Sequence, residues 1–175
     1  PFLAQKHTIN RSEFGSQTVS GAEYVTGLNV NVIRLADVYL MAAECYIAAH
    51  DLDNARKLVN KVRERASELA PKKTAYGNNA ANYQVGQYAS FPDEAYATKA
   101  VHFERRLELA LEGHRFYDLV RWGTLKEAKE SYSAFEGTYL PAFGNIVVNP
   151  NNNYFPIPQS QIDRSLGTLK QNDGY

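Results

Sequence analysis

The chain is poor in the residues on which most catalytic and metal chemistry depends. It has one cysteine, Cys45, which has no partner for a disulfide and lies in an apolar helical stretch, so it reads as a buried, inert thiol. Its four histidines, His7, His50, His102 and His114, fall at no ligand spacing such as H-x3-H, which argues against a metal site. No Gly-rich phosphate loop, serine elbow or Cys–His pair occurs. No apolar run approaches the ~18 residues that a membrane span needs. Lys plus Arg and Asp plus Glu number 19 each, so the net charge is zero and there is no electrostatic footprint for nucleic acid or anionic lipid. The chain has no secretory leader and opens on Pro1, which leads us to expect a piece of a longer protein. No cofactor is expected.

What is abundant is tyrosine, with 12 residues against a single tryptophan and a single methionine. Tyrosine combines an apolar ring with a polar tip, a chemistry compatible with wet, amphipathic ligands such as sugars. At 175 residues the chain is long enough for one domain with a real core.

Residues 1–32 are polar and rich in Gly, Ser and Thr without helical period, and read as an extended arm or short strands. From Ile33 to Ala49 the chain is apolar almost all round, the pattern of a helix packed between neighbours, with Arg34, Asp37 and Glu44 on one stripe. Asp51 and Asp53 supply N-cap chemistry for a second helix, whose apolar face is Leu52, Ala55, Leu58, Val59, Val62, Ala66 and Leu69 and which Pro71 ends. The spacing Tyr39-x-x-Ala42-Ala43-x-x-Tyr46, then Ala55-x-x-x-Val59-x-x-Val62, resembles one tetratricopeptide-type hairpin over 33–70. Small Ala43 and Ala55 would let the helices approach, with Tyr39, Tyr46 and Val59 filling the space beside them. About three such repeats are needed for independent stability, which again suggests missing neighbours.

Residues 71–93 form a long loop. It places Tyr76, Tyr83, Tyr88 and Phe91 among Asn78, Asn79, Asn82, Gln84 and Gln87, with no charge between Thr74 and Phe91. Aromatic faces suit the C–H side of a sugar and amides suit its hydroxyls. The candidate ligand residues are therefore Tyr76, Asn78, Asn79, Tyr83 and Tyr88, against the alternative of a surface loop folding its tyrosines onto the helices. Tyr132, Phe135, Tyr139 and Phe143 invite the same reading more weakly.

Asp93 can cap a helix over 94–112, and Gly113 separates it from another over about 114–131. Phe103, Leu107, Ala110, Leu111 and His114 fall on one helical face. Glu104, Glu108 and Glu112 form a line at i+4 with Arg105 and Arg106 in reach. These carboxylates point the same way and cannot flank a glycosidic bond from opposite sides, so ion pairing is the better reading and no catalysis is expected. Trp122 reads as a buried structural residue before Gly123. Residues 132–175, broken by Gly137, Pro141, Gly144 and Pro150, are expected to be irregular, with one last helical turn over Gln159–Asp163.

The stretch Glu104-Arg105-Arg106-x-Glu108-Leu109-x-x-Glu112-Gly113-x-Arg115-x-x-Asp118-Leu119-x-Arg121-Trp122-Gly123 resembles the signature of the SusD/RagB family. Two further blocks agree in order: Arg34 to Glu44, and Tyr154-Phe155-Pro156-Ile157-Pro158 with Leu169 to Tyr175. The family usually has proline where this chain has Asp173. The resemblance implies a single, all-α, C-terminal part of a longer protein, with tetratricopeptide-like packing, long irregular loops and almost no sheet. It implies a non-catalytic surface protein that captures an oligosaccharide or glycopeptide and hands it to a TonB-dependent, SusC-like outer-membrane transporter. A lipid anchor on an N-terminal cysteine would lie upstream. Glu104, Arg105, Glu108, Arg115, Asp118 and Trp122 would be structural signature residues. The rival is a tetratricopeptide-type adaptor that binds protein and ignores sugars.

Overall fold

The sharp turn at Ala49–Asp51 organises the first half of the molecule. In the computed structural model, which describes residues 6–8, 18–20, 23–25 and 29–175, helix α1 (Leu35–Ala48) ends with His50 in the left-handed region at φ 60°. The His50 and Asp51 amides donate back to Ile47 and Tyr46 carbonyls, each at 2.9 Å. Asp51 then caps α2 (Leu52–Ser67), accepting from the Asn54 amide at 3.1 Å. One short segment thus ends one helix, reverses the chain and starts the next. Asp93 does the same for α3 (Glu94–Glu108), accepting from the Tyr96 amide at 2.7 Å. A small antiparallel ribbon, β1 (Thr18–Ser20) with β2 (Glu23–Val25), precedes them, with Thr18 opposite Val25. The described structure is otherwise helical, with almost no sheet.

The chain packs as two compact units, one ending at Gly113 and one running from His114 to Tyr175. In the first, α1 packs against both α2 and α3. Arg34 before α1 meets Glu108 at the end of α3, and His50 after α1 meets Glu94 at its start, so α1 and α3 run antiparallel. The core holds Leu40, Ala43 and Ile47 of α1, Ala55, Val59 and Val62 of α2, and Ala97, Ala100 and Val101 of α3. Ala43, Ala55 and Ala97 are fully buried, and without bulk at these contacts the three helices approach closely. Each fully buried large side chain, such as Leu40 or Val59, contributes ~1.5–3 kcal/mol.

Several expectations are corrected. Phe103, Leu107 and Leu111 do not face the core but are 50%, 52% and 65% exposed. The inward face of α3 is Ala97, Ala100, Val101, Glu104 and Arg105, because its charges find partners on α1 and α2. Cys45 is exposed rather than buried, as are Tyr46 and Leu69. Helix α1 packs on two neighbours and leaves Leu35, Val38 and Met41 open on a third face. Helix α3 stops at Glu108 and leaves through a turn in which Leu111 and Gly113 have positive φ.

In the second unit, the expected single helix over 114–131 is two: α4 (His114–Arg121) and α5 (Leu125–Glu136). Gly123 at φ 69° takes the left-handed position that ends α4. Its amide donates to the Val120 carbonyl at 3.0 Å, and the Thr124 amide to that of Leu119 at 2.9 Å. A 3₁₀ turn at Pro141–Phe143 folds back on α5, where the Ser133 hydroxyl donates to the Phe143 carbonyl at 2.6 Å. A second such turn, Pro150–Asn153, leads to α6 (Gln159–Arg164), the last helical turn expected from sequence.

The C-terminal block closes on residues 149–157. The Gln171 side chain accepts from the Ile157 amide at 2.8 Å and donates to its carbonyl at 2.9 Å. The Asn172 amide group donates to the Phe155 carbonyl, and the Tyr175 hydroxyl reaches the Tyr154 carbonyl at 2.8 Å.

Candidate functional site

The loop between α2 and α3 divides its aromatic residues among three settings. The first is a miniature hairpin. The Thr74 amide donates to the Asn78 carbonyl at 2.8 Å, the Gly77 amide to the Thr74 carbonyl at 3.0 Å, and the Ala80 amide to the Lys72 carbonyl at 2.7 Å. Gly77 at φ 81° permits the turn. Tyr76 stands at its tip, 91% exposed. Asn79 bridges Lys73 across the hairpin, and its Oδ1 accepts from Lys73 Nζ at 2.6 Å. The amide NH2 of Asn79 and the side chain of Asn78 stay on the exposed surface.

The second setting is a groove at the end of α2, about 740 Å³ in volume. Ala66, Leu69, Ala70, Pro71 and Val85 give it an apolar lining, Tyr83 an aromatic one, and Ser67 and Lys72 its polar groups. Helix α2 ends at Ser67, short of Pro71, and Tyr83 and Val85 of the returning segment line the same groove. Leu69, expected in the packed face of α2, is 65% exposed here, and Tyr83 is 59% exposed. A concave apolar surface with a few polar groups is the usual form of a small-ligand site.

The third setting is the core. Tyr88 is partly buried against the helices and makes edge contacts with Phe91 at 5.4 Å and Tyr96 at 6.3 Å. The Arg63 guanidinium lies over its ring at 5.0 Å. Buried Asn60 of α2 donates to the Tyr88 carbonyl and accepts from its amide, both at 2.9 Å, like a neighbouring strand. Burial raises the Tyr88 phenol pKa against the pull of Arg63. Tyr88 is thus the residue on which the loop hangs, apart from the exposed Tyr76 and Tyr83. Asn60 escaped the sequence reading because a lone polar residue on a helix carries no sign of what it will pair with.

The signature charges fasten helices together. Glu104 accepts from Arg63 at 2.7 Å, and Arg105 donates to Asp37 at 2.8 Å. Glu108 accepts from Arg34 at 2.5 Å and from Arg65 at 2.6 Å. Glu112 binds Arg34 at 2.8 Å and Lys6. Desolvation raises the Glu104 carboxyl, with Arg63 opposing it. Burial alone would also raise Glu112, but hydrogen bonds from Arg34 and Lys6 outweigh it and bring its pKa down to about 2. In the second unit Asp118 is buried and accepts from Arg121 at 2.9 Å. Trp122 is half-buried, with Arg121 at 4.9 Å and Arg115 at 5.9 Å from its ring. Arg115 itself is exposed.

Among the described residues no three His, Cys, Asp or Glu side chains come together as a metal site. No described helix is long and apolar enough to cross a membrane.

Comparison with known proteins gives one answer throughout. The model of the SusD family matches residues 3–175. The chain is 33% identical over 147 residues to the SusD-like protein P25 of Formosa agariphila, covering 82% of this chain and 24% of that protein. A SusD superfamily structure from Bacteroides vulgatus superposes with a TM-score of 0.63 at 26% identity, covering 87% of this chain and 29% of the other. Surface glycan-binding protein A from Bacteroides thetaiotaomicron superposes at 0.62 and 25% identity, covering 89% and 27%. The chain spans about a quarter of the length of the curated relative it matches. With the family model matching almost end to end and the helical framework shared with solved members, this chain belongs to the SusD family.

Proposed function

We propose that this chain is the C-terminal part of a non-catalytic surface protein that captures an oligosaccharide or glycopeptide and passes it to a TonB-dependent, SusC-like transporter in the outer membrane. On this reading the whole protein is lipid-anchored through an N-terminal cysteine upstream of Pro1. Family membership supports the reading, as does the likeness to a surface glycan-binding protein. The observation that carries a ligand contact within these residues is the open groove beside Tyr83. There an exposed ring and an apolar lining share one groove; the Asn78 and Asn79 amides lie on the separate exposed hairpin, where they could meet hydroxyls of an extended ligand. Tyr76 adds a second exposed ring, while Tyr88 anchors the loop. Glu104, Glu108 and Glu112, the acids a hydrolase would need, are all engaged by cations.

The adaptor reading has one observation in its favour, the open apolar faces of α1 and α3 at Val38, Met41, Phe103 and Leu107. Calorimetry of the full-length protein against a glycan panel separates the two, with Tyr83→Ala and Tyr76→Ala beside the parent. Glycan binding weakened in either variant supports the proposal. Glycan binding unchanged in both moves the site out of this chain. No glycan binding, with peptide capture instead, favours the adaptor.

A further inference from the structure

We infer that the groove beside Tyr83 takes an anionic saccharide, its ring against Tyr83 and its carboxylate or sulfate on Lys72. The inference rests on the groove being a glycan site and adds the class of glycan. Along an extended segment, neighbouring side chains point to opposite faces. Lys73 and Asn79 face each other across the hairpin, and the Lys73 ammonium is taken up by the Asn79 amide oxygen at 2.6 Å. Lys72, one residue earlier, is turned to the other face and lines the groove. Its backbone carbonyl is held by the Ala80 amide at 2.7 Å, so the base of its side chain is fixed. Its ammonium has no ion-pair or hydrogen-bond partner among the described residues.

The rest of the lining sharpens the choice. None of the lining side chains is acidic, and Ser67 and the Tyr83 hydroxyl are the other polar side-chain groups. A cation, an exposed ring and an apolar lining in one groove suit an amphipathic anion: a C–H face for the ring and the apolar lining, and a negative group for the ammonium. Among sugars that describes a uronate or a sulfated hexose. A neutral hexose would use the ring and leave the ammonium without a charged partner.

The test is native affinity electrophoresis of the full-length protein in gels carrying polygalacturonate, a carrageenan, starch or galactomannan. The parent is run beside Lys72→Gln, Tyr83→Ala and Lys129→Gln, the last removing an equal charge from α5. The expected result is retardation by an anionic polymer and by neither neutral one, with polygalacturonate and carrageenan separating carboxylate from sulfate. Lys72→Gln should weaken it roughly three- to fivefold, as for a solvated ion pair. Tyr83→Ala should weaken it too, Lys129→Gln should not, and salt above ~0.15 M should reduce it. Retardation by a neutral polymer, lost in Tyr83→Ala and kept in Lys72→Gln, retains the groove and overturns the anionic assignment. Equal weakening by Lys72→Gln and Lys129→Gln overturns it as diffuse attraction. Anionic binding untouched by Lys72→Gln and Tyr83→Ala, or no retardation in any gel, overturns the assignment and the groove together.

Discussion

Arg105 Nη1 lies 2.8 Å from Asp37 Oδ1, and both side chains are about 95% removed from solvent. This pair joins α3 to α1 across 68 positions of sequence. It sits among Glu104–Arg63 and Glu108–Arg34, so the inward face of α3 is held by charges as well as by alanines. Removing Asp37 strips buried Arg105 of its 2.8 Å partner and leaves the Glu44 carboxylate, 4.0 Å from its Nε, as a more distant one. Asp37→Ala should therefore cost ~3–5 kcal/mol in urea unfolding, far more than an exposed pair such as Lys126–Glu130, worth ~1 kcal/mol or less. Replacing Asp37 and Arg105 together by leucine and methionine should recover much of that loss. If Asp37→Ala melts like the parent, the pair contributes nothing.

Acid should open the network around Glu112. Its folded pKa of about 2 lies below the ordinary 4.5, so its contribution is complete above about pH 5 and is lost as pH falls from 4.5 toward 2. The difference is of order 2 kcal/mol after solvent screening. Glu104 acts with the opposite sign, since its raised folded pKa makes ionisation costly as pH rises. Unfolding measured between pH 6 and pH 3 should fall less steeply for Glu112→Gln than for the parent. Parallel curves would sink the assignment.

Gly123 carries the break between α4 and α5. An added Cβ meets nothing within 4 Å, so the cost of Gly123→Ala is conformational alone, ~1–2 kcal/mol for φ 69°. Gly123→Asn should cost less, because asparagine tolerates that region. Gly137→Ala differs in kind: its Cβ would lie 2.5 Å from the Gly144 Cα, so backbone must move. Thermal melts of the three variants should rank asparagine mildest.

The two loop tyrosines should part company in stability. Tyr88→Ala removes a ring packed on Phe91 and Tyr96 and under Arg63, and should lower the melting temperature clearly. Tyr83→Ala removes a ring that is 59% exposed and should change stability by under ~0.5 kcal/mol. Equal losses in both would mean that Tyr83 is also part of the packing.

Much of this framework was legible because its causes are local. Asp51 and Asp93 announce helix starts, and Pro71 announces a stop. Alanine at 43 and 55 marks a close helix contact, and the three signature blocks mark the family. These depend on residues a few positions apart, so one sequence contains them. The facing of α3 is another matter: Phe103-Leu107-Leu111 and Val101-Glu104-Arg105 both keep helical period. Burial went to the charged stripe because Asp37, Arg63, Arg34 and Arg65 arrive from other helices to neutralise it. The break at Gly123 was written in the chain too, as a glycine free to take the left-handed position that ends a helix. Tyr76, Tyr83 and Tyr88 look equivalent in sequence. Only the tertiary structure sends one to a hairpin tip, one to a groove and one to the core, because that choice depends on Asn60 and Arg63 of α2 and on Leu69 just beyond its end.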